Sequence, residues 1–307
     1  MTISSRAVGA LVLYAAAYGG SVAVLSTAPD FEAGEALAVM LIFGLGFSVA
    51  AWLATAKGKL VLADVRVPAR ELGILCAYLV LFAVVFLGWG LSAIQVAFPS
   101  EPVQSIAILA SKLAAMMLIP AWLFTRLGYT WRELLAPRAL GRSGRIALFV
   151  IGMLLLALQL TAGRGPKALA ELDQTAVVIA VLSPLAFAWL TIEVGLTEEF
   201  LFRALFQERA AVWLRSETAG IVVMALAFGL AHAPGYVLRG AHAMEGMAQA
   251  PTPLIATAYA IVVVSPLGLM FGVLWARTRN LWLVALLHGW ADLVPNLASF
   301  VRTWVSQ

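Results

Sequence analysis

Charge is what this chain has least of. Asp, Glu, Lys and Arg make up 12% of its 307 residues and hydrophobic residues 63%, whereas a soluble domain carries about 25% charged and about 45–50% apolar residues. A water-soluble globular fold is excluded. Cysteine occurs once, at Cys76, so no internal disulfide forms and the redox compartment is not written in the sequence. No low-complexity tract, internal repeat or soluble domain interrupts the chain. Basic and aromatic residues do not interleave as they do in a nucleic-acid site, so nucleic acid is not an expected partner.

What the chain has in abundance is apolar runs long enough to cross a bilayer, about 17–25 residues each. They fall near 7–25, 35–56, 72–98, 105–125, 146–163, 176–200, 218–238, 253–276 and 281–301. The predicted fold is an all-α, polytopic helical bundle of eight to nine transmembrane helices. Small Ser26 and Ala28 in the opening stretch could mark a signal-peptide cut, but the preceding apolar run exceeds the usual h-region of about 7–15 residues, so it is read as a retained first span. The Arg-rich stretch "RLGYTWRELLAPRALGRSGR", 126–145, reads as a short surface helix and linker.

The 20 basic residues sort unevenly among the loops. Alternate loops hold Arg6; Lys57, Lys59, Arg66, Arg70; Arg126, Arg132, Arg138, Arg142, Arg145; Arg209, Arg215; and Arg277, Arg279. The opposite side holds Arg164, Lys167, Arg239 and Arg302, with Lys112 and Arg203 inside spans. Because basic residues stay on the cytoplasmic side, the amino terminus is predicted cytoplasmic and the carboxyl terminus external. In a bacterium this would be the inner membrane, and the basic loops suit an anionic leaflet.

Against that background "TEEFLFRALFQ", Thr197 to Gln207, stands out. A charge at mid-bilayer costs about 2.5–3.5 kcal/mol, so Glu198, Glu199 and Arg203 facing lipid would cost roughly 7–10 kcal/mol together. They must face protein or water. At about 100° per residue, Glu199 and Arg203 share a helix face and suit an internal ion pair, while Glu198 points away and has no intrahelical partner. The competing reading is a structural knot of charges, since such networks also collect in protein interiors.

The three histidines bear on that choice. His242 lies in the loop "RGAHAMEGMAQAPT" and reads as a solvated residue. His232 in "FGLAHAPG" and His288 in "LLHGWADL" lie inside apolar spans. His232 comes about 15 residues after the chain re-enters the membrane, and His288 eight residues past Asn280. At about 1.5 Å per residue both reach the depth of Glu198 in the cytoplasmic half. Asp292, four residues after His288, shares its face and could orient the imidazole or add a ligand. Two imidazoles and two acids can activate water, either directly or on a divalent metal held by His232, His288 and Asp292, zinc among the candidates. Hydrolysis is the reaction this chemistry serves. No H-E-x-x-H and no Gly-x-Gly-Asp motif competes, and "GLSA" at Gly90–Ala93 reads as helix packing.

In order and spacing, "EEFLFR", "FGLAH" and "HGWAD" resemble the three motifs of the CAAX-prenyl-protease and bacteriocin-processing (CPBP, or Abi) family of intramembrane proteases, and "GVLWARTRNLWLVALLH" resembles its lead-in to the third. The resemblance divides the chain into amino-terminal spans and a basic linker, 1–145, and a catalytic core, 146–307. It implies an intramembrane endopeptidase in which Glu198 is the catalytic glutamate and His232 helps it activate water. Glu199 and Arg203 would be a structural pair, with Phe228 in support. His288 and Asp292 would bind the oxyanion or a metal. The family's eukaryotic prenyl proteases carry Asn where this chain has Asp292, and an ionised carboxylate cannot donate to an oxyanion, so Asp292 must hold a proton, pair with His288 or ligate metal. The partners implied are the bilayer and a peptide or protein substrate, with prenylated tails, secreted peptides and carboxyl-terminal sorting tails all open. A catalytically silent scaffold that binds another membrane protein is the alternative.

Overall fold

The computed structural model describes residues 4–28, 31–56, 64–135, 139–240, 244 and 251–305. Every regular element among them is helical. Among the described residues eight helices are each long and apolar enough to cross a membrane: α1 (Ser5–Leu25), α2 (Ala33–Ala54), α3 (Pro68–Ala97), α4 (Val103–Arg126), α6 (Arg142–Thr161), α8 (Ala176–Trp213), α9 (Glu217–Arg239) and α12 (Leu281–Val305). Between them lie the short helices α5 (Trp131–Leu135) and α7 (Gly165–Ala170). The pair α10 (Pro253–Val263) and α11 (Ser265–Thr278), bent by 43°, passes the same test only together and makes a ninth span if the two are counted as one. The helices are apolar outward, with Val12, Phe149, Val177 and Val181 more than half exposed, as lipid-facing surface requires. The chain is a multi-pass, all-α membrane protein.

Local chemistry explains several helix limits. Asn280 caps α12, its Oδ1 accepting the Leu283 amide at 2.8 Å. The short α5 begins on a capping box, in which the Thr130 amide and hydroxyl donate to Glu133 and the Glu133 amide donates to the Thr130 hydroxyl. The break between α10 and α11 falls just before Pro266, whose ring excludes the carbonyl four residues earlier and which has no N–H to give. Buried Ser265 covers the disruption: it donates to the Ile261 carbonyl and shares a hydrogen bond of 2.9 Å with Tyr14 of α1.

The helices form two compact units. Unit 1 comprises residues 1–90 and 202–278, with α9 packed on α1, α10 and α11. Its cores gather Leu25, Tyr236, Tyr259 and Val262 in one cluster and Tyr14, Val222, Ala225 and Ile261 in another. A buried ion pair joins Arg209 Nε to Glu71 Oε2 at 3.0 Å, and Arg209 also donates to the Ala204 and Leu205 carbonyls. Unit 2 comprises residues 91–201 and 279–307. Here α12 packs against α6 and the first part of α8, around Ala186, Leu190, Leu293, Leu297 and Val301.

Candidate active site

The helix that carries "TEEFLFR" is not uniformly α-helical. It winds in the wider π form over Thr191–Leu196 and again over Phe200–Gln207, leaving Thr197–Glu199 as one α turn between them. Such π segments recur at functional sites because they re-aim side chains at the cost of regular hydrogen bonding.

In unit 2, α8 and α12 approach to backbone contact. A Cβ at Gly195 would lie 2.2 Å from the Ala285 carbonyl oxygen, and one at Gly289 would lie 2.4 Å from Thr191 Oγ1. Only glycine fits at either place. The two contacts bracket His288 in sequence, and that closeness lets α8 reach it. Glu199, wholly buried, accepts the Nδ1–H of His288 at 2.8 Å. Glu198 stands on the other side of the ring, its Oε2 3.9 Å from Nε2. The imidazole is thus held between adjacent carboxylates of one helix turn. Donation from Nδ1 to Glu199 orients the ring and leaves Nε2 as the nitrogen that faces Glu198.

Asp292 lies one turn beyond His288 and is half-buried. Its stretch of α12 is fixed from the side. Pro295 cannot donate to the Ala291 carbonyl four residues before it, and the amide of Gln159, in α6, donates there instead, with a second bond of 3.2 Å to the Trp290 carbonyl. Trp290 answers by donating its indole N–H to the Gly152 carbonyl at 2.9 Å. These contacts hold the backbone just before Asp292 against α6.

In unit 1, Arg203 is wholly buried. Its guanidinium lies 4.6 Å over the Phe228 ring and 5.9 Å from that of Phe271, an arrangement in which aromatic faces replace part of its lost hydration. Phe228 also meets Phe202 and His232 edge to face, at 5.2 and 4.7 Å between ring centres. His232 donates Nδ1–H to the Phe228 carbonyl at 2.8 Å. Nδ1 is thus the donor in both histidines. Phe228 supports the arginine and the histidine together. His242 lies outside the described residues.

Sequence reasoning passed over Glu199 as the partner of His288, Gln159 as a brace for α12, and Glu193, five residues before Glu198. Glu193 Oε1 pairs with Lys112 Nζ at 2.8 Å. The signal for Glu193 was Lys112 itself, since a lysine inside a span requires an anionic partner. Among the described residues no three His, Cys, Asp or Glu side chains are grouped as a metal ion requires.

No curated protein and no solved structure matches the chain. Residues 180–294, the stretch that holds all three motifs, match the family model described as Type II CAAX prenyl endopeptidase Rce1-like, the kind of intramembrane protease that the motifs resemble.

Proposed function

We propose that the chain is an intramembrane endopeptidase that hydrolyses a peptide bond close to the membrane, with Glu198 as general base. The observation that carries this reading is the clamping of His288 between Glu199 at Nδ1 and Glu198 beside Nε2. In the proposed reaction Glu198 removes a proton from water and the resulting hydroxide attacks the scissile carbonyl. The tetrahedral intermediate collapses with the C–N bond broken, and the proton passes from Glu198 to the leaving amine. One water is consumed and a carboxylate and an amine are formed. His288 Nε2 stands beside that chemistry, and Glu199 keeps the ring in a single orientation, the role a second carboxylate plays in other hydrolytic sites. The assisting role of His232, whose ring is oriented by the Phe228 carbonyl, rests on the resemblance of its motif alone. Asp292 acts as a carboxylic acid or as a partner to His288.

The reading routes no step through a metal. The test is cleavage by membranes containing the full chain, using three peptide probes: a prenylated CAAX-type tail, a secreted-peptide precursor and a carboxyl-terminal sorting tail. At least one should be cut, and cutting should survive exhaustive chelation while disappearing in Glu198→Gln. Activity lost to a chelator and restored by zinc would overturn the direct mechanism in favour of a metal on His232, His288 and Asp292. Absence of cleavage of all three, with normal assembly into a larger membrane complex, would favour the scaffold.

A further inference from the structure

The proposed chemistry uses neither Lys112 nor Glu193, yet the two form an ion pair inside the spans of unit 2, with their side chains 24% and 18% exposed. Lys112 lies midway along α4, and Glu193 lies in the π-wound turn just before the motif on α8. Both carboxylate oxygens of Glu193 are engaged. Oε1 takes the Lys112 ammonium at 2.8 Å and Oε2 takes the indole N–H of Trp189. Trp189 is itself packed on α12, with its ring centre 5.2 Å from Trp304 and 6.4 Å from Phe300. The backbone carbonyl of Glu193 accepts the hydroxyl of Thr197 at 2.6 Å, and Thr197, wholly buried, immediately precedes Glu198.

A continuous set of contacts therefore leads from α4 to the turn bearing Glu198, and it also ties α8 to the far end of α12. A π-wound turn has poorer hydrogen-bond geometry than an α turn and holds its shape less firmly by itself. A charge-assisted bond from a neighbouring helix is a means of fixing it. Neither Lys112 nor Glu193 contacts His288 in the described geometry, so their effect on hydrolysis would run through the backbone of this turn.

We propose that Lys112 is a positioning residue for Glu198, acting through Glu193 and Thr197. The inference rests on the reading of Glu198 as general base. The experiment uses the full chain, purified into lipid nanodiscs, and a peptide that the wild type cleaves. It compares Lys112→Met, Glu193→Gln, Lys112→Arg and the reversed pair Lys112→Glu with Glu193→Lys, with Glu198→Gln alongside. Misplacing a catalytic group by about 1 Å costs on the order of 100-fold. Lys112→Met and Glu193→Gln should accordingly lose about 10–100-fold in kcat, with KM and melting temperature close to wild type. Lys112→Arg, whose guanidinium keeps a cationic donor on the Glu193 carboxylate, should stay near wild type, and the reversed pair should recover most of what the single changes lose. If the reversed pair does not fold, Lys112→Arg decides. Wild-type kcat in Lys112→Met, or a loss that Lys112→Arg shares in full, overturns the inference. An inactive Glu198→Gln beside a fully active Lys112→Met would overturn this inference alone. A fully active Glu198→Gln would overturn the base assignment and this inference with it.

Discussion

In the proposed reaction two neighbouring glutamates do different work, because one histidine stands between them. Glu199 meets Nδ1 of His288, and Glu198 faces Nε2. Glu199→Gln keeps an oxygen that can accept the Nδ1–H but removes its charge, so the ring is held more weakly. Its kcat should fall about 10–100-fold, the usual effect of losing an orienting partner, while the protein remains folded. A kcat equal to wild type would contradict the orienting role. Arg203 belongs to a different category. Its stacking on Phe228 and Phe271 away from water is worth about 2 kcal/mol or more, so Arg203→Ala should lower the melting temperature and the yield of folded protein. A variant that melted like wild type and lost only activity would contradict that assignment. The sequence made the charged residues conspicuous because charge is rare in it and costly in a bilayer. It could not reveal that Glu199 meets His288, since that contact joins residues 89 apart in the chain and no helix periodicity reports it.

Among helices, the decisive feature is the approach of α8 to α12. Gly195 and Gly289 place backbone against backbone where any side chain would overlap, and close packing of this kind leaves no room to relax. Gly195→Ala and Gly289→Ala should each destabilise by about 1–3 kcal/mol, the usual cost of overpacking, and both should reduce activity because separating the helices draws His288 from its carboxylates. Gly19, with nothing near its would-be Cβ, is the control. Gly19→Ala should be neutral or stabilising by up to about 1 kcal/mol. Thermal unfolding of the three variants in one lipid composition checks this, and equal effects at all three positions would refute it. The spans themselves were legible, since twenty consecutive apolar residues form a redundant signal that tolerates error at either end. The bend before Pro266 was also present in the sequence, as Ser265–Pro266 within an apolar run, but a hydropathy reading treats that run as a single straight span. The π-wound turns were not legible, because they depend on how α8 meets its neighbours.

For the molecule as a whole, the eight apolar helices and the bent pair agree with the spans expected from hydropathy. The basic residues then predict a direction: amino terminus inside, carboxyl terminus outside. Reporters fused after Ala28, Ser100 and Gln174 should report external positions, and cytoplasmic signals at two of them would reverse the map. The central claim is that this bundle holds a peptide hydrolase whose water is activated by Glu198. The most direct measurement is digestion of a cleavable peptide in water enriched in oxygen-18 by the purified full chain and by Glu198→Gln, each shown to be folded. The account predicts one heavy oxygen in the new carboxyl terminus of the wild-type product and no product from Glu198→Gln. Cleavage by Glu198→Gln at the wild-type rate, or a wild-type product without the heavy oxygen, would contradict it.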